Sequence, residues 1–108
     1  MKIINCCDHN VNICDRYGNI IKVYEPSGYH ARLRQDSYII DHIDGIPVKV
    51  RRNDRIVGLP EPEEGTLYIV SEIMRWACPD RTDIISCGGK YHDSTGRVRG
   101  WTAFARNE

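Results

Sequence analysis

Residues 67–70, "LYIV", form an apolar run with no alternation, bounded by Gly65 and Ser71. A strand with one face in water alternates apolar and polar side chains, so this run predicts a strand covered on both faces. Ser71 is a good helix N-cap, and Ile73, Trp76 and Ala77 then recur at three-and-four spacing. That pattern predicts a short helix with those three residues on its core face. Pro79 ends it, since the residue before a proline is pushed out of the helical region. "DIIS" at 83–86 is the next strand, and "CGGK" reads as a glycine-rich loop. Residues 65–90 therefore predict a strand-helix-strand unit whose connection, about a dozen residues, is near the lower limit for a parallel crossover.

The rest of the chain reads as hairpins. "VNIC" and "NIIKVY" alternate around the turn signal "DRYGN". "EPSG" suits a type I turn, and "YHARLRQD" resumes the alternation as the return strand of a second hairpin. In "IPVKVRRNDRIVGLP", Val48 and Val50 alternate with charges, Asn53-Asp54 is the expected turn, and Ile56-Val57 begins the return, with Pro47 and Pro60 bounding the hairpin. "KIIN" is a short first strand, and "STGRVRGWTAFAR" supplies a turn and a last strand. In that strand Val98, Trp101 or Thr102, and Phe104 face inward. The expected fold is α+β: a mixed, mostly antiparallel sheet of hairpins with one short helix in a strand-helix-strand unit, as a single domain over residues 1–108.

A chain of 108 residues is long enough for one modest core without disulfides or metal. Lys plus Arg and Asp plus Glu are each 15, so the basic field required for nonspecific nucleic-acid binding is absent. The apolar runs are far below the ~20 residues needed to span a bilayer. "MKIINCCDHN" turns polar too early for a secretory segment. Five cysteines, an odd count without regular spacing, fit reduced thiols in a cytoplasm.

If residues 67–70 and 83–86 are parallel, their ends bring Ser71, Ser86, Gly88, Gly89 and Lys90 to one sheet edge. Open sheets of this kind bind ligands outside the carboxyl ends of their strands, and backbone N–H groups there favour anions. Glu72, on the first helical turn, would oppose a phosphate. Cys6, Cys7, His9 and Cys14 have the donor chemistry of zinc, but adjacent cysteines and the lack of a second C-x-x-C pair argue against a site, so no metal and no cofactor are expected. Cys7 or Cys87 with His9 could make a nucleophile and base. His92, or His42 with Asp41 and Asp44, could make an acid and base, although loop histidines are more often plain polar surface. Arg51-Arg52 and Arg34 read as a solvated face.

Read in order, "IIN" with His9 and "VNI", "PSG" with Ala31-Arg32, "GLPEPEEGTLYIVS", "RTD" with "IIS" and Gly88, and "GRV" resemble a family of small proteins of phages, prophages and bacterial mobile elements with no settled activity. The family pattern is Asn-x-x-x-His, Pro-Ser-Gly, Ala-Arg, Gly-Leu-Pro-x-Pro-x-x-Gly-x-x-Tyr-Ile-Val-Ser, then Arg-x-Asp. It covers almost the whole chain, though Asp8 replaces the family's proline before the histidine and Cys6-Cys7 has no counterpart. The resemblance implies the cytoplasm of a bacterial host and a counter-defence role, since several phage inhibitors sequester nucleotide-derived signals. The expected function is non-enzymatic binding of a small phosphorylated or nucleotide-like ligand by Asn5, His9, Arg32, Tyr68, Ser71, Ser86 and Gly88. One alternative is a hydrolase or lyase on the same ligand class, using His9 with Asp8 or Ser71. The other is a protein-binding inhibitor with no small ligand. Self-assembly into a homo-oligomer is open.

Overall fold

In the computed structural model, which describes the backbone of residues 1–108 and every side chain except those of Gln35, Arg52, Asn53 and Asp54, the apolar run lies inside the sheet. β1 (Lys2–Asn5), β2 (Val11–Cys14), β3 (Ile20–Tyr24), β4 (Arg32–Ile43), β5 (Ile46–Val57), β6 (Thr66–Ile69), α1 (Glu72–Ala77), β7 (Ile84–His92) and β8 (Val98–Arg106) follow one another along the chain. Six strands form a mixed sheet in the order β1-β6-β7-β8-β2-β3, and β4 and β5 pair only with each other. β6 is parallel to both β1 and β7, β7 and β8 are antiparallel, and β2 and β3 form an antiparallel hairpin. The molecule is an α+β domain.

β6 has no polar face because both of its faces are covered. Tyr68 and Val70 pack with Cys6, Ala31, Met74, Cys78 and Ile84 on the helix side, while Ile69 joins Val11 and Ile85 on the other, with Leu67 against them. Alternation along the strand sends neighbouring side chains to opposite layers, so four apolar residues in a row fill two cores.

The helix departs from expectation. Ser71 caps it, accepting from the Met74 N–H at 3.3 Å, and the Cys78 N–H closes the last turn on the Arg75 carbonyl. Met74 is its buried residue, whereas Ile73 is 63% and Trp76 62% exposed. Trp76 is therefore not a core anchor. Six residues make less than two turns, so a spacing built on three of them cannot distinguish the inward face from its neighbour. The far end of α1 is held by Asn107, whose side-chain amide donates to the Arg75, Cys78 and Arg81 carbonyls at 3.2, 2.9 and 3.1 Å.

Two expected hairpins are also different. β3 does not turn back into β4. After Tyr24 the chain crosses the end of β1, where the Ser27 N–H donates to the Asn5 carbonyl at 3.0 Å and the Ala31 N–H to the Cys6 carbonyl at 2.9 Å. Residues 46–57 are one strand, paired with β4 from Ile43↔Ile46 to Arg32↔Val57, and the turn is Asp44-Gly45. Both turn residues have positive φ, 51° and 75°, the combination a two-residue type I′ hairpin demands and Asp-Gly supplies. The turn expected at Asn53-Asp54 does not form, since both residues lie within β5. Finally, "CGGK" is not a loop: Gly88 and Lys90 lie within β7, opposite Ala103 and Trp101 of β8.

Candidate functional site

At the carboxyl ends of β1 and β6 the chain turns twice within a few ångströms. Asn5, 2% exposed, controls the first turn. Its Oδ1 accepts from the Cys7 N–H, and its Nδ2 donates to the carbonyls of His9 and Tyr24, all at 2.9 Å. One buried amide thus fixes residues 6–9 against the end of β3, and its own polar atoms are satisfied in doing so. The second turn is Ser71, at the start of α1. Between these turns and β7 opens a crevice of about 490 Å³ lined by Cys7, His9, Val70, Ser71, Glu72, Cys87, Gly88, Gly89, Lys90 and Trp101.

The crevice combines a cation with an aromatic surface. Lys90 Nζ lies 5.7 Å from the centre of the Trp101 ring, within cation–π range. Glu72 places a carboxylate on the same wall, 3.8 Å from Arg75 Nη2. Behind the wall, Arg75 Nε donates to Ser86 Oγ at 2.8 Å. The crevice thiols are poor nucleophiles. Burial, followed by the neighbouring Cys7, pushes Cys87 up to about 11, and burial with Asp8 pushes Cys7 up as well. All five cysteines are free thiols.

A second cavity of about 280 Å³ adjoins the first, sharing Cys7, His9 and Ser71 and continuing to Asp8, His30, Arg32, Leu33, Ile73 and Met74. Behind His30 and Ala31 on its wall lies Gly58, whose φ is +79° and where a Cβ would come within 2.1 Å of the His30 carbonyl oxygen, so only glycine lets this segment lie against residues 30–31. Arg32 Nη1 donates to the His30 carbonyl at 3.1 Å. Asp8 meets His30 Nε2 at 4.0 Å, and His9 donates from Nδ1 to the Asn10 carbonyl at 2.9 Å.

Of the residues expected to contact ligand, His9, Ser71 and Gly88 meet in the first crevice, and Arg32 lies in the second. Asn5, Tyr68 and Ser86 are buried structural residues. Tyr68 is 2% exposed, and its hydroxyl donates to the Glu61 carbonyl at 3.0 Å, so it cannot form a ligand wall. Lys90, placed on this edge by its position after Gly89, and Trp101, offered with Thr102 as an inward residue, line the crevice although the expected contact set omits them. The pairing Lys90↔Trp101 across β7 and β8 brings them together. For the acid–base alternative, Asp8 meets His30, Ser71 accepts the Met74 N–H, and His9 meets the Asn10 carbonyl. His42, Asp41 and Asp44 lie at the turn end of the β4–β5 hairpin, whereas His92 ends β7, paired with Val98 in the other sheet. Among the described residues, no group of three or more His, Cys, Asp or Glu side chains is placed to hold a metal ion, and no helix is long and apolar enough to cross a membrane. Comparison with protein-family models, curated proteins and solved structures finds no match.

Proposed function

We propose that the crevice binds a small phosphorylated or nucleotide-like ligand without transforming it, with β6, α1 and β7 as the strand-helix-strand platform. The observation that carries this reading is the Lys90–Trp101 pair in a cavity of about 490 Å³ that also takes in His9 and Ser71. An ammonium supplies charge for a phosphate, an indole face supplies a flat wall for a base or sugar, and the volume suits a nucleotide-sized molecule. Binding without turnover is favoured because burial raises the Cys7 and Cys87 thiols above their ordinary value, which makes them poorer nucleophiles, and Asp8 meets His30. Glu72 opposes an anion, and its approach to Arg75 moderates that cost. The resemblance to phage and mobile-element proteins extends the proposal to sequestration of a nucleotide-derived signal in the cytoplasm of a bacterial host.

A protein-binding inhibitor is the second reading, favoured by Ile73 and Trp76, which are exposed together one turn apart on α1. A single experiment separates the readings: the protein is equilibrated with a bacterial nucleotide extract, washed and denatured, and the released molecules are identified by mass spectrometry. Intact nucleotide-like ligand from the wild type, reduced at least about tenfold in Lys90→Ala and Trp101→Ala but retained in Arg51→Ala, is the expected outcome. Chemically altered ligand would indicate a hydrolase or lyase. No released ligand would sink small-molecule binding and leave the protein-binding reading. Arg32→Ala reports whether the ligand reaches into the second cavity.

A further inference from the structure

We propose that the two adjoining cavities take one two-lobed ligand, a dinucleotide, with one nucleotide in the Lys90–Trp101 crevice and the other across Ser71 beside Arg32. The proposal rests on the crevice reading above and names its ligand class. The larger cavity is about 490 Å³ and the smaller about 280 Å³, and Cys7, His9 and Ser71 line both. Residues that line both lie between them, so the three form a saddle that a single molecule can cross. The smaller cavity sits at the lower edge of the ~300–1,000 Å³ typical of ligand pockets, which suits half of a site better than a whole one.

The two hollows repeat the same chemistry with different residues. In the larger, Lys90 supplies the charge, and Trp101, 5.7 Å from its Nζ, supplies the ring surface. In the smaller, Arg32 supplies the charge, and Leu33, Ile73 and Met74 supply an apolar wall. Met74 is buried and Ile73 is exposed, so that wall runs from the core to the rim. A base with its phosphate matches an apolar wall beside a cation, whereas a bare polyphosphate tail would leave the wall uncovered. Arg32 is also the cation whose planar head stacks on flat rings. Its Nη1 donates to the His30 carbonyl at 3.1 Å, which uses one of a guanidinium's five N–H donors.

The saddle and the acids around it fit a charge shared between the lobes. Ser71 Oγ accepts from the Met74 N–H at 3.3 Å, so its own hydroxyl proton can be donated to a phosphodiester crossing above it. Each hollow also holds one acid: Glu72, 3.8 Å from Arg75 Nη2, in the larger, and Asp8, 4.0 Å from His30 Nε2, in the smaller. A dinucleotide spreads its charge over both lobes. A triphosphate concentrates it beside one of these acids, where like charges repel.

Equilibrium dialysis of the full chain against separate pools of nucleoside monophosphates, nucleoside triphosphates and 5′-phosphorylated linear dinucleotides, read by mass spectrometry, tests this. The dinucleotides should bind about tenfold or more tighter than either other pool. Arg32→Ala should remove that advantage and leave monophosphate binding within about twofold, because Arg32 lines the second hollow and not the first. Ile73→Asp, at an exposed position, should act in the same way, and unchanged circular dichroism spectra show that both variants fold. Lys90→Ala should weaken every pool, by about tenfold. Monophosphates bound as tightly as dinucleotides overturn the two-lobed ligand but keep the crevice reading, and so does Arg32→Ala weakening both pools alike. Triphosphates that match the dinucleotides would put a phosphate tail in the second hollow and overturn it too. Binding of none of the pools defeats the crevice reading together with this one.

Discussion

The pair Arg81–Asp83 holds down the segment leading into β7. Arg81 Nη2 lies 2.6 Å from Asp83 Oδ2 and 3.0 Å from the Pro60 carbonyl, with both side chains about four-fifths covered. Hydrogen bonding from Arg81 holds the Asp83 carboxyl below its ordinary value of 3.8. The unfolded chain therefore takes up this proton at higher pH than the folded one does. The pair's contribution is complete above that ordinary value and is lost as pH falls through it toward the depressed folded value. Asp83→Asn should cost about 2 kcal/mol at pH 7 in urea denaturation, the scale of a charge-assisted hydrogen bond, and the gap from wild type should narrow by pH 3. A gap of the same size at both pH values would show that the contact acts by shape rather than charge.

At the scale of elements, α1 is too short to reveal its own orientation. Ile73, Trp76 and Ala77 satisfy helical spacing, yet Met74 and Cys78 reach the core, because the Ser71 cap and the three Asn107 contacts set the rotation of the helix over β6 and β7. Met74→Ala should lose about 2–5 kcal/mol, as buried methionines do when truncated. Trp76→Ala should stay within about 0.5 kcal/mol, the range of an exposed substitution. Chemical denaturation of both variants checks this, and a Trp76 loss comparable to that of Met74 would put the indole back in the core. The hairpin tip was legible locally, since Asp44-Gly45 between two isoleucines is a strong turn signal. The polar stretch at 51–54 imitates a strand break equally well, and only cross-strand pairing decides between the two.

The whole molecule divides into a sheet with two cores and an arm whose base joins them where Leu33 packs on the helix-side cluster. Replacing residues 35–54 with Asn-Gly, which keeps Arg34 and Arg55 as the last pair, should therefore leave a folded protein. Its spectrum should show the six-stranded sheet, and its radius of gyration in X-ray scattering should fall toward ~13 Å. Loss of the cooperative transition would mean that the arm stabilises the sheet within one copy.

Sequence alone determined the features that depend on neighbours along the chain: a doubly covered strand at 67–70, a capped helix stopped before Pro79, the 11–24 hairpin, and an edge carrying Ser71, Gly88 and Lys90. Alternation, capping and proline sterics act over a few residues, so they are written locally. The tertiary structure decided what depends on distant partners. It turned Asn5, Tyr68 and Ser86 inward, rotated Trp76 to the surface, and drew "CGGK" into a strand. By pairing β7 with β8 it set Lys90 against Trp101. Which residue meets which across a sheet follows from register, and register is settled by how two whole faces are buried.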